Sequence, residues 1–140
     1  MPIHFRRLLA GIALGVAGIA ADAEVVVVVS STSPVTTLSV EQIADIFLGR
    51  SNQFPGGGRA VPIDQAESSA DRTEFYARFS GRTPAQMKMH WSKLIFTGRG
   101  RPPAQVKDSS AVKELLSSNL EAISYIDRST VDESVTVLDY

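Results

Sequence analysis

Cysteine is absent from all 140 residues. No disulfide framework, thiol nucleophile or cysteine-based metal site can therefore be built. Histidine is scarce: apart from His4 near the start there is only His90, with no second histidine to complete a soft metal site. Charge of one sign is also lacking. Lys and Arg number 14 against 15 Asp and Glu; Arg6, Arg7 and Asp22 fall in the first 23 residues, leaving 12 against 14. A nucleic-acid partner demands a basic excess, and this balance supplies none. Beyond the N-terminal stretch no apolar run approaches the roughly 20 residues of a spanning helix. There is no G-x-S-x-G, no paired carboxylate arrangement and no nucleophile with a base at hand, so a catalytic reading has nothing to stand on. Gly56-Gly57-Gly58-Arg59 lacks the Gly-Lys-Ser/Thr ending of a phosphate loop and opens no helix, so it reads as a turn. No catalytic residue, metal or cofactor is expected.

What is present begins with an address. Arg6 and Arg7 form a positive region, Leu8 to Ala20 is uncharged and apolar, and Ala21-Asp22-Ala23 supplies an A-x-A cleavage site. We expect residues 1–23 to be a secretory signal peptide cleaved after Ala23, placing the mature chain in the periplasm. Residues 24–140 then make one domain of ordinary size, held by its apolar core alone.

Within that domain, Val25 to Val29 is five consecutive valines. β-Branched residues favour strands, and an unbroken apolar run implies burial on both faces. Ser39 to Leu48 reads as a helix with Ser39 and Gln42 as a capping box, Ile43, Ile46 and Phe47 inward and Gly49 beyond its end. A strand follows over Ala60 to Asp64, and a helix over about Ser69 to Ser80, stopped by Gly81. Thr83, Pro84 and Gln86 open the next helix, with Met87, His90 or Trp91, and Leu94 on its stripe. An extended piece near Val106, a helix from about Ser109 to Asn119, and strands over Ala122 to Asp127 and Ser134 to Leu138 complete an alternating order. Such alternation implies an α/β domain with a mostly parallel central sheet flanked by helices.

Two loops carry hydroxyls that suit an anion. Ser30-Ser31-Thr32-Ser33 follows the valine strand, and Ser68-Ser69-Ala70-Asp71-Arg72 opens the second helix. Backbone N–H groups at a helix start attract phosphate, sulfate or carboxylate, and Arg72 can add a bidentate grip. Asp71 opposes this, since its carboxylate repels an incoming anion; serines at helix starts are also ordinary caps. Arg99, Arg101 and Lys107 surround the Gly98-to-Pro103 loop, either as a solvated basic loop or as a docking patch for an acidic partner or anionic surface.

Several segments resemble the phosphate-type periplasmic solute-binding proteins of phosphate ABC transporters. Leu38-Ser39-Val40-Glu41-Gln42-Ile43-Ala44-Asp45-Ile46-Phe47-Leu48-Gly49-Arg50 is similar to that family's L-S-x-x-Q-I-x-x-I-F-L-G-K stretch. Ala122-Ile123-Ser124-Tyr125-Ile126 resembles its G-x-I-G-Y-V strand, and Ser69 to Phe75 falls where it carries S-G-T-T-x-x-F. The resemblance implies a single-lobe version of the type 2 periplasmic-binding-protein fold. This chain departs at Ala70 and Asp71, has Gln65 where the family has an arginine, and Phe54 where it has a tryptophan. By this resemblance the leading expectation is non-catalytic binding of a small oxyanion, phosphate first, at Ser31, Thr32, Ser69, Ala70, Asp71 and Arg72. Phosphate ABC transport is implied with it, and a membrane transporter or another envelope protein as partner. One lobe offers half a cleft, so a closed site would need a second chain, such as a homodimer partner. The alternative expectation is an interaction module of the cell envelope that kept the fold and lost the ligand.

Overall fold

The computed structural model describes residues 24–140. The expected signal peptide, residues 1–23, lies outside the described residues. The elements in chain order are β1 (Val25–Ser30), α1 (Val40–Phe47), β2 (Val61–Gln65), α2 (Ala70–Ser80), α3 (Pro84–Phe96), β3 (Ala104–Val106), α4 (Ser109–Ser117), β4 (Ala122–Asp127) and β5 (Val135–Val137).

The strands form one sheet in the order β3-β2-β4-β1-β5. β2 pairs parallel with β3 and β4, whereas β1 runs antiparallel to both β4 and β5. Four strands therefore point the same way and β1 alone is reversed. The mostly parallel sheet expected from the alternation is present, built by crossovers through α2–α3 and through α4. The reversal of β1 is an addition that the order of elements could not reveal.

The valine run explains the layering. Alternate side chains of a strand face opposite sides of its sheet. Val25, Val27 and Val29 pack into a core with Phe47, Phe75, Tyr125 and Trp91, under α1, α2 and α3. Val26 and Val28 pack on the other face with Val112 and Leu116 of α4. All five valines are fully buried, as their continuous apolarity required. The result is a three-layer α/β/α domain.

Local chemistry sets the helix ends. Ser39 Oγ accepts from Gln42 N at 3.1 Å while Gln42 Oε1 accepts from Ser39 N at 2.9 Å, closing the expected capping box. Thr83 and Gln86 do the same at 3.2 and 2.9 Å. Gly81 ends α2 at a φ of 65°, a left-handed conformation that glycine adopts without strain. Among the described residues no helix is long and apolar enough to cross a membrane.

Candidate functional site

The carboxyl end of β2 delivers Asp64 and Gln65 to the start of α2. The parallel register pairs Pro62 with Ile123, so Asp64 lies level with Tyr125 on β4. Asp64 is 1% exposed, and a carboxylate so deeply buried needs partners. It has four. Its Oδ1 accepts from the Tyr125 hydroxyl and from Gln65 N at 2.9 Å. Its Oδ2 accepts from the Tyr76 hydroxyl at 2.7 Å and lies 3.3 Å from Arg72 Nε. The Arg72 Nε–H is not aligned for a hydrogen bond, so that contact is an ion pair. The guanidinium also lies over the Tyr76 ring, 5.3 Å from its centroid.

Burial first, then the negative charge of Asp64 and the hydrogen bond to it, push both tyrosine hydroxyls far above the ordinary phenol range. They stay protonated and act as donors to the carboxylate. Phe75 stacks on Tyr125 at 4.1 Å with the rings within 8° of parallel, which holds the Tyr125 ring in place.

Gln65 completes the network. Its Nε2 donates to Tyr125 O at 3.0 Å, and its Oε1 accepts the Ser69 hydroxyl at 2.8 Å. Ser69 Oγ in turn accepts from Arg72 N at 3.3 Å. The hydroxyl and the guanidinium expected to grip a ligand are thus both engaged by the chain itself. Asp71 stands at the helix start. Its carboxyl is pushed above the usual carboxylate range by burial, then by the charges of Asp127 and Glu74. Asp127 and Glu74 thus add negative charge beside this helix start.

The structure brings Ser69, Ala70, Asp71 and Arg72 together and separates them from Ser31 and Thr32. Because β1 is reversed, Ser30 lies level with Val135, at the end of the sheet away from Gln65. Gln65 lies level with Val26, so four residue steps along β1, about 14 Å, separate the two levels. The Ser31–Thr32 half of the expected site is therefore corrected: these residues cannot share a ligand with Ser69. Nor does their loop open a helix. Ser31 N donates to Ser134 O at 3.1 Å, Thr32 N donates to Ser30 Oγ at 3.4 Å, and α1 begins only at Val40 under the cap of Ser39.

Reading by motif also missed Asp64, Tyr76 and Tyr125 as a cluster. The available signal was an ionisable residue closing an apolar strand, since such a residue is rarely buried without partners. Among the described residues no group of three or more His, Asp or Glu side chains is placed to hold a metal. His90 is structural: its Nε2 donates to Leu48 O at 2.9 Å, and its Nδ1 must then accept from Arg82 Nη1 at 3.2 Å, because a carbonyl only accepts.

The sheet thus has one reversed strand inside an otherwise parallel set, with helices on both faces and a helix start at the carboxyl end of β2. No family model matches the chain, and no curated protein does. Solved structures do. A phosphate ABC transporter substrate-binding protein with bound phosphate from Clostridium perfringens is similar with a TM-score of 0.66 and 23% identity, over 82% of this chain and 44% of that one. An ABC-type phosphate transport receptor from Vibrio cholerae gives 0.63 and 22%, over 82% of this chain and 45% of that one. PstS from Borrelia burgdorferi gives 0.55 and 14%, over 82% and 46%. The fold of phosphate-receptor proteins is thus shared, and the chain spans less than half the length of each.

Proposed function

We propose that the protein is a non-catalytic, solute-binding-like module of the cell envelope that is exported and acts through a docking surface rather than by capturing a free oxyanion. One observation carries this reading. The buried Asp64 carboxylate already holds Tyr76, Tyr125 and the charge of Arg72. An anion at the start of α2 would find the arginine neutralised, the Ser69 hydroxyl donated to Gln65 and Asp71 in its way.

The second reading is binding of a small oxyanion, phosphate first, at Ser69, Ala70, Asp71 and Arg72, coupled to a phosphate transporter and closed by a second chain. The fold likeness to two phosphate receptors favours it, as do the first N–H groups of α2, which a helix leaves without intrahelical partners. Thermal unfolding of residues 24–140 with phosphate, sulfate and small carboxylates separates the two. A ligand at 100 times its Kd stabilises by about 2.7 kcal/mol and raises the midpoint by several degrees. We expect a flat panel. A selective rise with phosphate, removed by Ser69→Ala, would instead establish the second reading.

A further inference from the structure

The cations of this chain are segregated. Residues 81–107 hold Arg82, Lys88, Lys93, Arg99, Arg101 and Lys107 and not one Asp or Glu, while the rest of residues 24–140 hold 14 acids against six cations. A chain with near-zero net charge is therefore strongly polarised. None of these six cations belongs to an ion pair among the described residues, whereas Arg50, Arg72, Arg78, Lys113 and Arg128 do.

The same stretch holds the three most exposed large apolar side chains among the described residues. Phe96, the last residue of α3, is 93% exposed, with Met89 at 73% and Ile95 at 55%. Met89, Lys93 and Phe96 recur at helical spacing on one face. Lys88 and Ile95 form the adjacent row. Only Met87 and Trp91 of α3 are buried, so the helix is pinned along one edge and its outward face is free. After the helix, Arg99 N donates to Leu94 O at 2.9 Å, turning the basic loop back beside Ile95. Arg50, Arg82, Lys93 and Arg99 line an open groove of about 660 Å³ next to Met89 and Leu94.

From this juxtaposition we infer that the outward face of α3, with the Gly98-to-Pro103 loop, docks on an anionic lipid surface. Phe96, Ile95 and Met89 enter the interface, and Arg82, Lys93, Arg99 and Arg101 engage phosphate headgroups. The geometry favours lipid over an acidic protein. Phe96 protrudes at a helix end, and a rigid partner would have to supply a matching pocket, whereas a bilayer interface accepts a protruding ring. Helices of this kind bind by buried apolar area plus attraction to anionic headgroups. The inference deepens the docking reading above and rests on it.

The test is co-sedimentation of residues 24–140, which carry the whole described fold, with vesicles of phosphatidylcholine alone or mixed with phosphatidylglycerol. Binding is expected only to the mixed vesicles and falls with added salt. Each reversal, Lys93→Glu or Arg99→Glu, should weaken it about five-fold or more. Phe96→Ser should weaken it about ten-fold without altering the charge. Arg128→Glu, outside the stretch, should leave it unchanged. All these side chains are exposed, so unaltered thermal midpoints confirm that the variants fold. No sedimentation with mixed vesicles, or binding indifferent to Phe96→Ser and Arg99→Glu, overturns the lipid assignment. With a flat oxyanion panel, that result leaves the docking reading with an acidic protein as partner. A phosphate-selective rise in the panel overturns the docking reading itself.

Discussion

The start of α2 and the segments flanking α3 both present arginine, and the chain treats them in opposite ways. At α2 the guanidinium of Arg72 is buried against Asp64 and Tyr76, and its charge is answered from within. On either side of α3, Arg82, Arg99 and Arg101 have no acidic neighbour in sequence and no ion pair among the described residues. A cation completed inside the molecule contributes to specifying the fold. A cation left uncompleted beside exposed apolar groups is available to something outside. The difference teaches that a motif's residue types do not reveal its role until their partners are known.

The hardest way to break this comparison is to remove the internal acceptor. Asp64→Ala leaves a buried arginine unpaired and two tyrosine hydroxyls without their acceptor. Losing one partner of a buried ion pair costs about 3–5 kcal/mol, so urea unfolding should show a loss of that order. A loss below about 1 kcal/mol, the range of exposed pairs, would mean that Arg72 is in fact solvated. On the α3 side, Gly49 sits at a φ of 75°, and a Cβ there would come within 3.0 Å of the Trp91 ring. Gly49→Ala should therefore cost about 1–2 kcal/mol through left-handed strain and disturb the seating of α3. Trp91 fluorescence reports the latter, and an unshifted spectrum would show that α3 is held by other contacts.

The smallest effect concerns Asp71. Its ionised form is disfavoured in the folded state by burial, then by Asp127 and Glu74. For an acid whose folded pKa is raised, the penalty is present above that pKa and disappears as pH falls through it. Asp71→Asn should thus stabilise at neutral pH, by on the order of 0.5 kcal/mol for a partly solvated charge. The gain should shrink as pH is lowered through the carboxylate range. A destabilisation at neutral pH would mean that favourable interaction with the helix dipole outweighs the repulsion.

Much of the fold was legible because its signals are local. Ser39 with Gln42, Thr83 with Gln86, Pro84 and Gly81 mark helix ends by bonds spanning three or four residues. The valine run announces a strand buried on both faces because it offers no polar side to water. The candidate site was less legible because its bonds are not local. Asp64 meets Tyr125 across 61 residues and Tyr76 across 12, and no periodicity encodes such a meeting. Ser31 and Thr32 were grouped with Ser69 because both loops follow strands. That grouping assumed that the two strands run the same way.

By itself, then, the sequence determined the elements, their caps, the two-sided burial of β1 and the segregation of positive charge into residues 81–107. These depend on side-chain chemistry and spacing along one chain. Tertiary structure alone decided the direction of β1, and with it which serines share an end of the sheet. It also decided that Asp64 would engage Tyr125, because ladder pairing of β2 with β4 brings together groups 61 residues apart in the chain.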